Sequence, residues 1–425
     1  MKLRHIQRLA AAGLVSMFCL VCYTNCGDSF SAGATPATTS SSPISLAQSN
    51  VVGVSVGCGY INEPCVSVTV CVPGTSNCQT IPNVLLDTGS YGLRLFNQVS
   101  LDSFKTVTAL ITLPQTADPN ISGNVYAECV SYADGSSDWG PLATADVHLG
   151  GETASGVPIQ IINSSFASVP SGCPKPDSSP IGTSGTGFNG ILGVGLFTDD
   201  CGPGCAPGTS GAASSGIYFS CTSSSCVGAA VAEKLQTTNP VVYLPTDNNG
   251  VMLQLPGVPI AFGVSNGAGV VDGYLVLGIG TESNNIPSGT TTLPADGNGN
   301  FVTVFNGTTS PNSFIDSGSN ALYFPAPSTV PTCTDNSSFY CPTAEVTLTA
   351  TQQGASGAGS KAVSFMIGNS DDDFSQSNPN VSFADLGGSL SSDFDWGLPF
   401  FFGRSIYVGI YGRSSVLGAG PLWSY

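Results

Sequence analysis

Two short stretches of this 425-residue chain carry residue types that could do chemistry together. Val84–Phe96 reads Val-Leu-Leu-Asp87-Thr88-Gly89-Ser90-Tyr91-Gly-Leu-Arg94-Leu-Phe, and Ser313–Phe324 reads Ser-Phe-Ile-Asp316-Ser317-Gly318-Ser319-Asn-Ala-Leu-Tyr-Phe. Each is an apolar strand that delivers an aspartate into a tight turn, followed by a second apolar strand. One Asp-Thr-Gly is usually a plain surface turn. Two copies, 229 residues apart and each inside strand–turn–strand, point to a paired site. Two carboxyls brought within hydrogen-bond reach cannot both ionise cheaply, so they share one proton over a wide acidic range. The ionised member can take a proton from a water, and the neutral member can give one to a polarised oxygen.

The other turn residues serve the same geometry. Gly89 and Gly318 let the backbone turn tightly, so that an N–H can point at the carboxylate. The hydroxyls of Thr88 and Ser317 can tie the two turns together. Ser90 and Ser319 can donate to the outer carboxylate oxygens and fix their direction.

These turns resemble those of the two-lobed pepsin-like aspartic peptidases. The resemblance implies an all-β fold of two lobes with an active-site cleft between them, and Asp87 and Asp316 as the catalytic dyad of an endopeptidase. It spans roughly residues 51–425. Tyr132, before the Gly135 turn in Tyr132-Ala-Asp-Gly135-Ser136, matches the family's flap tyrosine. Gly187-Phe-Asn-Gly190-Ile-Leu-Gly193 and Asp395-Trp396-Gly397 resemble the two apolar-Gly supports behind the turns, with Gly193 and Gly397 as counterparts. Gly273–Gly280 resembles the strand and turn that precede the second catalytic strand. The Cys-x6-Cys start and Asp-Ser-Gly-Ser-Asn are also similar to a group of bacterial exported proteins of unknown function.

Two positions depart from the family. Arg94 stands where a tryptophan commonly bonds the flap tyrosine, and Tyr91 replaces a small residue. A cation beside the dyad would favour its ionised state. Trp139 is a candidate to supply the missing contact. Pepsin-like proteins without activity bind partners through the cleft, so a binding protein or an envelope lipoprotein on the same fold is the alternative to a peptidase.

Composition narrows the classes. With 53 glycines and 29 prolines, the chain favours strands and turns. Its net charge is −17; without residues 1–26, which hold three of the ten basic residues and no acid, 7 basic residues face 27 acidic ones. Such a surface repels phosphate backbones, which excludes nucleic acid as a natural partner. His5 and His148 are the only histidines. A serine or cysteine hydrolase would have to rest on His148, on a strand-like Asp146-Val-His148-Leu. Peptide or unfolded protein is the expected substrate, for a monomer without cofactor or metal. Asp371-Asp372-Asp373 reads as a solvated acidic loop rather than a calcium site.

Domain organisation follows. Residues 1–26 read as an export signal, with a basic start and an apolar Leu9–Cys22 that is short for a membrane span. Cys26 with its Ser/Thr/Pro-rich sequel resembles a lipidated start, while Tyr23 and Asn25 fit ordinary signal cleavage; both readings stand. Residues 27–50 are expected to be a disordered tether, 51–235 a β lobe carrying Asp87, and 236–425 a β lobe carrying Asp316. The short, nearly uncharged tether predicts no inhibitory prosegment and hence no zymogen step. Twelve cysteines after Cys26 are an even set, consistent with up to six disulfides in an exported protein that is secreted, periplasmic or lipid-anchored. Cys201–Cys205, Cys221–Cys226 and Cys333–Cys341 are expected loop staples within a surface insertion (197–235) and beyond it.

Overall fold

A computed structural model describes residues 43–132, 135–181, 186–259, 267–375 and 381–425. The export signal, Cys26 and most of the tether lie outside the described residues. The tether's end does not: the Ser49 carbonyl accepts from Gly151 N–H at 2.7 Å. The Asn50 amide is buried and donates to Leu277 O and to Asn284 at 3.2 and 3.0 Å. Expected disorder gives way here because a polar side chain finds buried partners.

The fold is all-β. Its described strands form a fifteen-stranded sheet, a seven-stranded sheet and two small ribbons. Alternation explains the outer strands: in Val51–Val56 the side chains of Val52, Val54 and Val56 are buried, while Gly53 is exposed and Ser55 half-buried. The central strand Gly190–Val194 is buried at every position, as a strand covered on both faces must be. The fifteen-stranded sheet crosses residue 235, because Val51–Val56 pairs antiparallel with Val271–Leu277.

Each Asp turn has the same local topology. Cys78–Asp87 enters the first turn and Tyr91–Phe96 leaves it, and Gly190–Val194 lies between them, parallel to the former and antiparallel to the latter. Thr308–Ile315 enters the second turn and Leu322–Phe324 leaves it, and Asp395–Trp396 is inserted in the same sense. Glycine is required where each inserted strand passes behind its turn. A Cβ at Gly193 would stand 2.6 Å from Tyr91 N, and one at Gly397 would stand 2.0 Å from Ala321 O. The second support is held by an aromatic core, in which Phe394 stacks on Trp396 at 4.4 Å and on Phe324 at 5.1 Å.

Six disulfides close the chain: Cys58–Cys65, Cys71–Cys78, Cys129–Cys173, Cys201–Cys205, Cys221–Cys226 and Cys333–Cys341. The 197–235 segment is more than a surface insertion. Its strands Tyr218–Cys221 and Cys226–Gly228 extend the sheet beside Val125–Ser131, since Tyr218 and Phe219 are apolar enough to be buried there.

Candidate active site

The two turns are joined by reciprocal hydrogen bonds. Thr88 N–H donates to Ser317 Oγ and Ser317 N–H to Thr88 Oγ1, each at 3.0 Å. The hydroxyls then reach across: Thr88 Oγ1 donates to Ile315 O at 3.0 Å, and Ser317 Oγ to Leu86 O at 2.7 Å. Thr88 and Ser317 thus complete each other, and neither turn is whole without its counterpart.

Each carboxyl is held by its own turn and faces the other. Gly89 N–H donates to Asp87 Oδ1 at 2.8 Å and Gly318 N–H to Asp316 Oδ1 at 2.9 Å. Ser90 donates to Asp87 Oδ2 at 2.6 Å and Ser319 to Asp316 Oδ2 at 3.1 Å. A Cβ at Gly89 would come within 2.5 Å of the Asp316 carboxyl, and one at Gly318 within 2.7 Å of that of Asp87. Only glycine admits this approach. The arrangement places two oriented carboxyls together, with the chemistry of a shared proton open to them. Their field reaches Tyr91, whose hydroxyl is pushed up by burial and then by Asp87 and Asp316. The Tyr91 ring meets Phe197 edge-on at 5.3 Å.

Arg94 is not a cation facing the dyad. Its guanidinium is buried and donates to Glu128 at 2.7 Å, to Asp200 at 2.9 Å and to Tyr91 O at 2.7 Å. Burial alone would discharge it, but Glu128 foremost, with Tyr132 and Asp200, holds it charged. Glu128 is kept ionised against its burial by Arg94 and accepts from Thr237. Asp200 is pushed well up by burial and by Glu128, and accepts from Tyr218. One guanidinium thus stands between two carboxyls whose hold on a proton is pushed in opposite directions. Arg94 sits where it does because two carboxyls from distant segments enclose it.

The hairpin Val125–Ser131 and Ser137–Leu149 carries Tyr132 at its turn, where Tyr132 N–H donates to Ser136 O and Gly135 N–H to Tyr132 O. Gly135 has φ +83°, which glycine adopts freely. The partner of the Tyr132 hydroxyl is Asp138, at 2.5 Å, a residue the sequence reading passed over. Trp139 does not take that place. It faces the opposite side of its strand, donates to Phe166 O and packs on Phe219. Period-2 alternation from Trp139 was the signal that could have found Asp138. His148, on the 137–149 strand, bonds Thr153 at 2.9 Å. Asp373, in the Asp371-Asp372-Asp373 run, is buried rather than solvated; burial and then Asp385 push it up to about 8.

A family model described as "Protein of unknown function (DUF3443)" matches residues 46–425. No curated protein matches the sequence at a significant level. Among solved structures, the chain is similar to the crystal structure of aspartic proteinase from Irpex lacteus. The two share 18% identity and a TM-score of 0.47, over 88% of this chain and 96% of that one. The strand–turn–support unit is present twice in this all-β fold, and the two copies are locked by reciprocal bonds.

Proposed function

The chain belongs to the family of proteins of unknown function DUF3443, and from its turn geometry we propose that it is an exported aspartic endopeptidase. The observation that carries this reading is the approach of each turn's glycine to the other turn's aspartate, with both carboxyls fixed by hydrogen bonds. In the proposed reaction the ionised carboxyl takes a proton from water as its oxygen bonds to the peptide carbon. The neutral carboxyl protonates the carbonyl oxygen. The C–N bond then breaks, with a proton delivered to the leaving nitrogen. Tyr132, held by Asp138, would border substrate, and peptide or unfolded protein is the proposed substrate class. Six disulfides support an oxidising compartment outside the cytoplasm.

The test is cleavage of an unfolded protein across pH 3–7 by wild type, Asp87→Asn and Asp316→Asn. Acid-range cleavage that both substitutions abolish, and that pepstatin blocks, is the expected result. Absence of cleavage by the folded, disulfide-bonded protein would overturn it in favour of a cleft-binding protein.

A further inference from the structure

Two motifs of the sequence meet at the second turn. One is the Cys58-x6-Cys65 loop, Cys58-Gly59-Tyr60-Ile61-Asn62-Glu63-Pro64-Cys65, and the other is the asparagine that extends Asp316-Ser317-Gly318-Ser319 to Asn320. The loop joins Val51–Val56 to Pro64–Cys71, and the Cys58–Cys65 disulfide closes its neck beside the pairs Ser55–Cys65 and Val56–Pro64. Its base lies against the approach to the first support, where a Cβ at Gly59 would stand 2.4 Å from Gly187 O. Its tip reaches into the second half of the chain. Ile61 is buried in a cluster with Ala321, Tyr323, Phe339 and Phe383. The Asn62 amide, also buried, donates from Nδ2 to Asn320 O at 2.8 Å and to Phe383 O at 2.9 Å. Its Oδ1 accepts from Phe383 N–H at 2.8 Å, and Asn62 N–H donates to Val381 O at 3.1 Å.

The residue type follows from this place. Asn62 has φ +56°, in the left-handed region that asparagine enters more readily than most residues with a side chain. Two carbonyls and one N–H face the side chain, and an amide offers the two donors and the acceptor that they need. An aspartate of the same shape would set oxygen against two carbonyl oxygens.

Asn320 directly follows Ser319, whose hydroxyl holds Asp316 Oδ2. Tyr323 fixes the Asn320 side chain, donating to its Oδ1 at 2.8 Å. At the same position of the first turn, the Tyr91 carbonyl is held by Arg94 of its own strand. The second turn takes the corresponding bond from the other half of the chain. We propose that Asn62 is a positioning residue for the second turn: through Asn320 it sets where Asp316 stands towards Asp87, and the Cys58–Cys65 loop is the arm that carries it there. This rests on the reading of Asp87 and Asp316 as a working pair. Thr88 and Ser317 join the turns at one point, and Asn62 braces the second turn at another. Without the brace, the bonds between the turns remain, but the peptide after Asn320 can tilt and Ser319 with it. Asp316 then keeps the N–H of Gly318 and loses a well-directed hydroxyl, which raises its hold on a proton.

The experiment titrates the Asp316 carboxyl carbon between pH 3 and 8 in protein labelled with carbon-13 aspartate, with Asp316→Asn to assign its signal. Asn62→Gly keeps the left-handed backbone and removes the amide. Ser220→Ala, which removes a buried hydrogen bond to Asp118 near one edge of the large sheet, is the control for a loss of stability alone. Asn62→Gly is expected to raise the Asp316 midpoint by about one pH unit, a roughly tenfold change, and Ser220→Ala to leave it in place. In cleavage of an unfolded protein, Asn62→Gly should lower kcat by about 10–100-fold with KM nearly unchanged, since a reacting group is displaced and no binding contact is lost. An Asp316 midpoint equal to wild type in folded Asn62→Gly overturns the proposal, whether or not the protein cleaves. A moved midpoint in a protein that never cleaves sustains it and overturns the peptidase reading instead. If Asn62→Gly does not fold in buffer, the same titration of the variant folded in a stabilising osmolyte such as sucrose decides.

Discussion

Replacing Arg94 with methionine should destabilise the protein far more at neutral pH than in acid. Methionine keeps most of the apolar stem and removes the charge that balances Glu128. A buried carboxylate without its cation must take up a proton. At pH 7, protonating a glutamate of ordinary pKa near 4.3 costs about 3.7 kcal/mol, and near pH 4.5 the same step costs almost nothing. The lost hydrogen bonds to Tyr91 O and Asp200 add about 1–2 kcal/mol at either pH. The expected loss is therefore about 5 kcal/mol at pH 7 and about 1–2 kcal/mol at pH 4.5, in line with breaking a buried ion pair. Urea unfolding of wild type and Arg94→Met at both pH values reads it directly. Equal losses at the two pH values would refute the reasoning, since a charge-balance role must be pH-dependent. A shift in the pH optimum without loss of stability would return Arg94 to the dyad.

Three further substitutions follow from the same structure. Thr88→Ala removes two buried hydrogen bonds between the halves, and Ser317→Ala removes two more. Each should cost about 2–4 kcal/mol, and denaturant unfolding of the double variant should show less than the sum, because both act on one network. Glu152 is pushed up to about 7 by burial and then by Asp247. A folded-state pKa above the unfolded value of about 4.3 means that its contribution is present below that value and is lost as pH rises to about 7. Glu152→Gln should flatten the fall in stability across that window, as followed by thermal unfolding at pH 4.5, 5.5 and 7.

The Asp turns were legible because their chemistry needs contiguous residues: the aspartate, the hydroxyl and the glycine must share one tight turn. Gly193 and Gly397 were legible by the same logic of close approach. What escaped was set by partners remote in sequence. Arg94 suggested a cation in the cleft until Glu128 and Asp200, 34 and 106 residues on, proved to enclose it. Asp138 was overshadowed by the adjacent tryptophan, although the two point to opposite faces of one strand. Tyr218–Cys221 is too short, and its flanks too rich in serine and glycine, to reveal which strand it would join. Asp395 carried no sign of burial in the sequence, because an aspartate at the start of an apolar support strand does not show which way its side chain points until the register is known.

The reciprocal bonds between Thr88 and Ser317 also bear on timing. The first turn must wait for more than two hundred further residues before its partner exists, and for Asp395–Trp396 before that partner is backed. Contacts so distant along the chain are slow to form, since loop closure precedes any gain from them. A chain interrupted before Asp316 holds one aspartate turn and no second aspartate to face it. Completion of the polypeptide is thereby built into the appearance of the site, and an unfinished copy carries no assembled pair into the compartment where it is made.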